Sequence, residues 1–160
     1  SDPLLKRLFQ SATGKGLILV AAVGNAGPQS PPLYPAAYEG VIAVTATGPS
    51  NALFEKANCG DYIGIAAPGV DIFTPTPEGV YDISSGTSIA AAHVSGILAL
   101  MLEKRPDASA GGLRSMLFRT AMDLGVSGPD TEFGVGLVDA EKAVTGLLPV
   151  SETATATGGN

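Results

Sequence analysis

Gly86-Thr87-Ser88, running into Ile89-Ala90-Ala91-Ala92-His93-Val94-Ser95-Gly96, sets a hydroxyl group where a glycine-containing turn opens an apolar helix. The N-terminus of a helix presents unpaired backbone N–H groups and a partial positive charge, and both stabilise an alkoxide-like oxygen or a developing oxyanion. A serine so placed is suited to acyl transfer. It also needs a general base, usually an imidazole, within about 2.6–3.2 Å to take its proton. The chain contains one histidine. That residue, His93, follows Ser88 by five positions, which on one helix means about 140° around the axis and about 7.5 Å along it. His93 is therefore expected to be a buried imidazole, hydrogen-bonded within the core of a central helix, and not the base.

The elements that must position this serine follow from the apolar pattern. Ser1 as N-cap, Pro3 in the first turn and Leu4, Leu5, Leu8 and Phe9 at helical spacing predict a first helix ending near Gly14-Lys15-Gly16. Apolar runs at residues 17–23, 41–45 and 62–66, bounded by Gly and Pro, predict strands buried on both faces, as in a parallel sheet. The proline-rich stretches 28–35 and 68–77 are expected to be irregular surface connections, with a short strand at 81–84. Residues 88–104 predict a helix stopped by Pro106 and apolar around nearly its whole girth, hence in the middle of a domain. Further helices are expected at 110–120, with Leu113, Met116 and Leu117 inward, and at 139–144 after the Gly134-Val135-Gly136 turn. These elements make a layered α/β domain.

The 160 residues, 45% hydrophobic and 15% charged, suffice for one domain with a real core. A formal charge of -6 without any Lys/Arg cluster argues against nucleic acid or an anionic membrane surface as a partner. No apolar run reaches membrane-spanning length. Cys59 is the single cysteine, so no intrachain disulfide forms, and it is expected to be a buried or loop thiol. The small polar tract at the end, residues 149–160, is expected to be a disordered tail or linker.

Gly86-Thr87-Ser88 followed by Ala90 and His93-Val94-Ser95-Gly96 resembles the nucleophile motif of subtilisin-like serine proteases, the subtilases. Other segments agree in order and spacing. Ala22-Val23-Gly24-Asn25-Ala26-Gly27 resembles the family's oxyanion-hole segment, Tyr34-Pro35-Ala36 with Val41-Ile42-Ala43-Val44 its specificity-pocket strand, and Ala67-Pro68-Gly69 and Gly134-Val135-Gly136-Leu137-Val138-Asp139-Ala140 later landmarks. The resemblance implies a layered parallel-sheet subtilisin-like fold over residues 1–148, incomplete because its N-terminal strands are absent. It makes Ser88 the nucleophile and the Asn25 amide an oxyanion donor beside the Ser88 N–H. It also assigns Ala22, Gly24, Tyr34, Pro35, Ala36 and Thr87 to the substrate pocket and implies a cis Tyr34-Pro35 bond. Ala92 departs from the family's usual proline. So does Phe54-Glu55-Lys56-Ala57-Asn58-Cys59-Gly60, where Phe-Ser is usual; this is read as loop variation.

In that family the base and its orienting aspartate come from motifs upstream of the serine, in the order aspartate, histidine, serine. The chain is thus expected to be the C-terminal part of a subtilisin-like catalytic domain, inactive by itself, that hydrolyses peptide bonds once completed. The alternative is a non-catalytic subtilase-fold interaction module that kept the fold and the serine. Expected partners are a peptide or protein substrate and, through an exposed sheet edge, the complementary N-terminal part or a second copy. No cofactor is expected. Calcium is implied only by the resemblance, since Asp61, Asp71 and Asp82 show no dense ligand spacing. The family is often secreted or periplasmic.

Overall fold

The computed structural model describes residues 2–77 and 79–146; the expected tail lies outside the described residues. Helix α1 spans Pro3–Gly14 and is capped by Asp2, whose carboxylate accepts the Leu4 and Leu5 N–H groups at 2.8 and 3.0 Å. Asp2 therefore takes the capping position expected for Ser1. No residue of α1 is buried, and Leu4 stands 78% exposed. Its anchor is Phe9, packed on the Tyr38 ring at 5.5 Å, with the Tyr38 hydroxyl donating to the Asp2 carbonyl at 3.1 Å.

Strands β1 (Leu19–Ala22), β2 (Val41–Thr47) and β3 (Ile65–Pro68) form a parallel sheet in that order, with Leu19 opposite Val41 and Val44 opposite Ile65. All seven residues of β2 are buried, which is why this strand reads as an unbroken apolar and β-branched run. β1 is shorter than the 17–23 run, because Leu17 and Ile18 precede its pairing with β2. β3 starts three residues later than the 62–66 run. Residues 61–64 instead make a turn in which Ile63 N–H donates to Gly60 O at 3.1 Å and Gly64 N–H to Ala43 O at 2.9 Å.

The connection expected to be irregular contains a strand. β4 (Ile72–Pro75) pairs antiparallel with β5 (Tyr81–Ser84), and Phe73 stacks on Tyr81 with centroids 4.8 Å apart. Prolines 75 and 77 conceal the alternation of half-buried and exposed residues in β4; they are tolerated because each strand of an isolated hairpin has a free edge.

Helix α2 (Thr87–Lys104) lies against the sheet and buries Thr87, Ala90, Val94, Ile97, Leu98 and Met101, one helical face. Its other side is exposed, Ala92, His93, Leu100 and Leu102 included, although its sequence is apolar all round. α3 (Ala110–Arg119) and α4 (Ala140–Thr145) pack on α2, capped by Ser109 and Asp139. The main core joins Ile42, Val44, Ile65 and Ala67 of the sheet to Val94, Leu98 and Met101 of α2 and Leu113 and Leu117 of α3. A smaller cluster holds Val23, Ala36, Ala43 and Ile63. Among the described residues no helix is long and apolar enough to cross a membrane.

Candidate active site

The site lies at the carboxyl end of the parallel strands, where loops leaving β1 and β3 meet the N-terminus of α2. The loop after β1 carries Val23, Gly24 and Asn25. The one after β3 carries Gly69, whose carbonyl accepts the Gly86 N–H at 2.7 Å. A Cβ on Gly69 would stand 2.7 Å from Ala46 Cβ and 2.8 Å from Gly86 O. Only a glycine there lets the Gly86-Thr87-Ser88 turn sit directly on the sheet.

Thr87 ties the β1 loop to the start of α2. Its N–H and its hydroxyl both donate to Asn25 Oδ1, at 3.0 and 2.9 Å, and its Oγ1 accepts the Gly24 N–H at 3.2 Å. The carbonyl of the Asn25 amide is thereby engaged twice, which orients Nδ2 as the free donor. Gly86 has extended backbone, so its requirement is room: a Cβ there would lie 3.4 Å from both Asn25 Nδ2 and Ser88 Oγ and 3.9 Å from Ser88 N. Ser88 and Asn25 are exposed while Gly86 and Thr87 beneath them are buried. The N-terminus of α2 has no side-chain cap and no acid in its first turn, so no carboxylate of that turn offsets its positive end.

His93 is exposed, not buried as expected. It borders an apolar groove of about 470 Å³ lined also by Ile72, Phe73, Ile89, Ile97 and Leu100, because α2 is covered by the sheet on one side only. No general base accompanies Ser88 among the described residues.

The structure joins Gly24, Asn25 and Thr87 in one hydrogen-bonded unit, with Ser88 next to Thr87 in the chain, and sets half-buried Ala22 at the end of β1. The Tyr34-Pro35 bond is cis, as the resemblance implies. The Tyr34 ring packs on Tyr38 at 4.6 Å, Pro35 borders a groove beside β1, and Ala36 is buried in the smaller core cluster. These three side chains do not converge on Ser88. Leu33 does come to this unit, its Cδ1 lying 2.6 Å from where a Gly24 Cβ would stand. Sequence reasoning placed Leu33 to Ala37 in the pocket segment without fixing its depth, and it took Gly69 only as a landmark; a glycine between a strand end and the Gly86-Thr87-Ser88 turn was the available signal.

On the far side of Asn25 a depression of about 590 Å³ is lined by Phe54, Glu55, Lys56, Asp71 and Ser85. Asp71, at φ 56°, donates its N–H to Ser85 Oγ at 2.9 Å. Cys59 is half-buried; burial first, then the charges of Glu132 and Asp130, push its thiol pKa up, which disfavours the nucleophilic thiolate. Among the described residues no group of three or more His, Cys, Asp or Glu could hold a metal ion, and Asp61, Asp71 and Asp82 do not converge.

Comparison with known proteins gives the family. A model of the subtilase family matches residues 1–136. Minor extracellular protease Epr of Bacillus subtilis is 36% identical over 142 residues, covering 89% of this chain and 22% of that protein. Subtilisin DY of Bacillus licheniformis is 37% identical, with 87% and 51% covered. Fervidolysin from Fervidobacterium pennivorans, a keratinolytic enzyme related to subtilisin, has a crystal structure similar to this one at a TM-score of 0.82 and 33% identity, over 94% of this chain and 26% of that one. The chain thus spans about half or less of the length of these relatives.

Proposed function

The chain belongs to the subtilase family, whose model covers residues 1–136, and on that premise we propose that it is the nucleophile-bearing part of a serine endopeptidase domain. Ser88 Oγ attacks the scissile carbonyl carbon and gives its proton to an imidazole that these 160 residues do not supply. The carbonyl oxygen becomes an oxyanion, held by Asn25 Nδ2 and the Ser88 N–H. Collapse of the intermediate breaks the C–N bond, the amine leaves with the proton, and water then hydrolyses the ester on Ser88. No cofactor or calcium ion enters this sequence. One observation carries the reading: Thr87 engages Asn25 Oδ1 twice, leaving Nδ2 and Ser88 Oγ to face one gap that Gly86 keeps open.

The peptide occupies the cleft across Gly24, Asn25 and Ser88. By itself the chain is inactive, for want of a base. Two apolar surfaces support completion by another part of the domain, or failing that by a second copy. One is a groove of about 630 Å³ beside β1, lined by Phe9, Leu17, Val20, Leu98 and Leu102; the other is the smaller groove beside His93. The parent enzyme acts outside the cell, as the name of the Bacillus subtilis relative says of that protein. The net charge of -6 on these 160 residues disfavours nucleic acid and anionic membranes as partners of this part.

A fluorophosphonate probe tests the reading. In the completed domain Ser88 labels and Ser88→Ala does not, while the 160-residue chain alone stays unlabelled. A completed domain that fails to label is instead a non-catalytic interaction module of the subtilase fold.

A further inference from the structure

The β4–β5 hairpin turns an apolar face outward. Its register sets Phe73 opposite Ile83 and Pro75 opposite Tyr81, so these four side chains share one face. Phe73, Tyr81 and Ile83 are 67%, 62% and 63% exposed. Together they show on the order of 300 Å² of apolar surface, a size at which a patch marks an interaction site. Neither the nucleophile nor the oxyanion donor uses any of them.

The edges of the hairpin are blunted, while its face is not. Thr76 N–H donates to Val80 O at 2.8 Å, which sets the alternation along the ladder and turns the backbone groups of Phe73, Pro75, Tyr81 and Ile83 outward. On β4, Pro75 has no N–H to offer there. On β5, the Ile83 N–H already donates to Asp82 Oδ1 at 2.7 Å. An added strand therefore finds few groups to pair with, and recognition is left to the side chains of the face.

Charge selects among the occupants of that face. No Lys or Arg occurs between Lys56 and Lys104, whereas Asp71 at the base of the hairpin and Asp82 at its edge are exposed. A second copy with the same net charge of -6, or an anionic membrane, is repelled. The Phe73 and Tyr81 rings stack on each other, 16° from parallel, so they do not make the coplanar platform on which a sugar ring lies. An apolar peptide carrying cations satisfies both the face and its acidic rim. We propose that this face is an exosite, which holds an apolar, Lys- or Arg-bearing stretch of a protein substrate outside the cleft while Ser88 cuts elsewhere in the same substrate chain. The cut itself rests on the reading above. The position suits this use, because Tyr81 precedes Ser88 by seven residues, at most about 25 Å of chain. The depression beyond Asn25 continues to the base of the hairpin at Asp71 and Ser85. Phe73 also borders the groove beside His93, so Tyr81 and Ile83 are the residues that test the face alone.

The experiment uses the completed catalytic domain and peptides that share one cleavage site. One peptide is short; the others are prolonged at one end or the other by ten residues alternating Val with Lys or Val with Glu. Ten extended residues span about 33 Å, enough to reach the face. A Val-Lys arm at one of the two ends should lower KM on the order of ten-fold, and no Val-Glu arm should do so. The double variant Tyr81→Thr with Ile83→Thr keeps strand-forming residues; it should lose that gain and hydrolyse the short peptide with the wild-type kcat/KM. Equal KM for the short and all Val-Lys peptides, an equal gain from a Val-Glu arm, or a double variant that keeps the gain overturns the inference and leaves the nucleophile standing. So does a double variant that slows the short peptide as much as the long one, since the face would then be packed inside the domain. A wild-type domain that neither labels with fluorophosphonate nor cleaves the short peptide overturns the reading on which the inference rests.

Discussion

β1 and β3 flank the same central strand, yet their outer edges differ. Beyond β3 the segment after Gly134 closes the sheet: Val135 N–H donates to Gly64 O at 3.0 Å, Ala66 N–H to Gly136 O at 2.9 Å, and Val138 N–H to Ala66 O at 2.9 Å. Beyond β1, among the described residues, no strand pairs, all four of its residues are half-buried, and the neighbouring groove is apolar. The nucleophile turn stands between the two, tied to the sheet through Gly69 and to the β1 loop through Asn25. On the proposed function, the contrast separates the part this chain completes, the proposed nucleophile and oxyanion donor, from the edge left open to another part of the domain.

The largest effect belongs to the finished part. Ser88→Ala in the completed domain should lower kcat by about 10⁶-fold, a magnitude carried over from a subtilisin's own serine, measured by peptide hydrolysis with fluorophosphonate labelling as the check. Asn25→Ala should cost about 10²- to 10³-fold in kcat with little change in KM, again a magnitude carried over from the family's oxyanion donors. Thr87→Val keeps the backbone bond to Asn25 Oδ1 and removes the hydroxyl one, so a loss of roughly ten-fold is expected. Equal rates for Asn25→Ala and wild type would break the assignment of the finished side.

The closed edge itself is tested by stability. Gly136 has φ +112°, and a Cβ there would press on the Met122 carbonyl. Gly136→Ala should therefore destabilise by at least about 2 kcal/mol in denaturant unfolding. The open edge predicts association of the isolated chain in sedimentation runs at tens of micromolar, relieved when the rest of the domain is supplied. A monodisperse monomer would show the two edges to be equivalent after all.

The smallest effect is acid fraying of α4. Asp139 accepts the Lys142 N–H at 2.9 Å and pairs with its ammonium group, also at 2.9 Å, which holds its carboxyl below the usual carboxylate range, the backbone bond contributing most. A group with a depressed folded pKa stabilises above its unfolded pKa and loses that contribution as pH falls through the folded one. Hydrogen exchange in residues 140–145 should accelerate below about pH 4, and Asp139→Asn should flatten the dependence.

Legibility in the sequence followed the range of the interactions. The spans of α3 and α4 came within a residue or so because their caps, Ser109 and Asp139, act over three positions. β2 was readable from burial on both faces. The late start of β3 was not, since the turn at residues 61–64 depends on a bond from Gly64 to distant Ala43. β4 escaped because its pairing with β5 outweighs the two prolines of that stretch. His93 was misjudged for a related reason: an all-apolar helix implies cover on every side, and here one side has none.

What the sequence determined by itself was the family and the order of the α/β elements, because motif spacing and hydrophobic period are properties of neighbouring residues. The tertiary structure alone decided that Thr87 orients Asn25, that Gly69 seats the turn on the sheet, and that Leu33 rather than Tyr34 lies over Gly24. The first two contacts join segments far apart in the sequence, which the packing of the sheet against α2 brings together, and the third folds the connection between β1 and β2 back on itself.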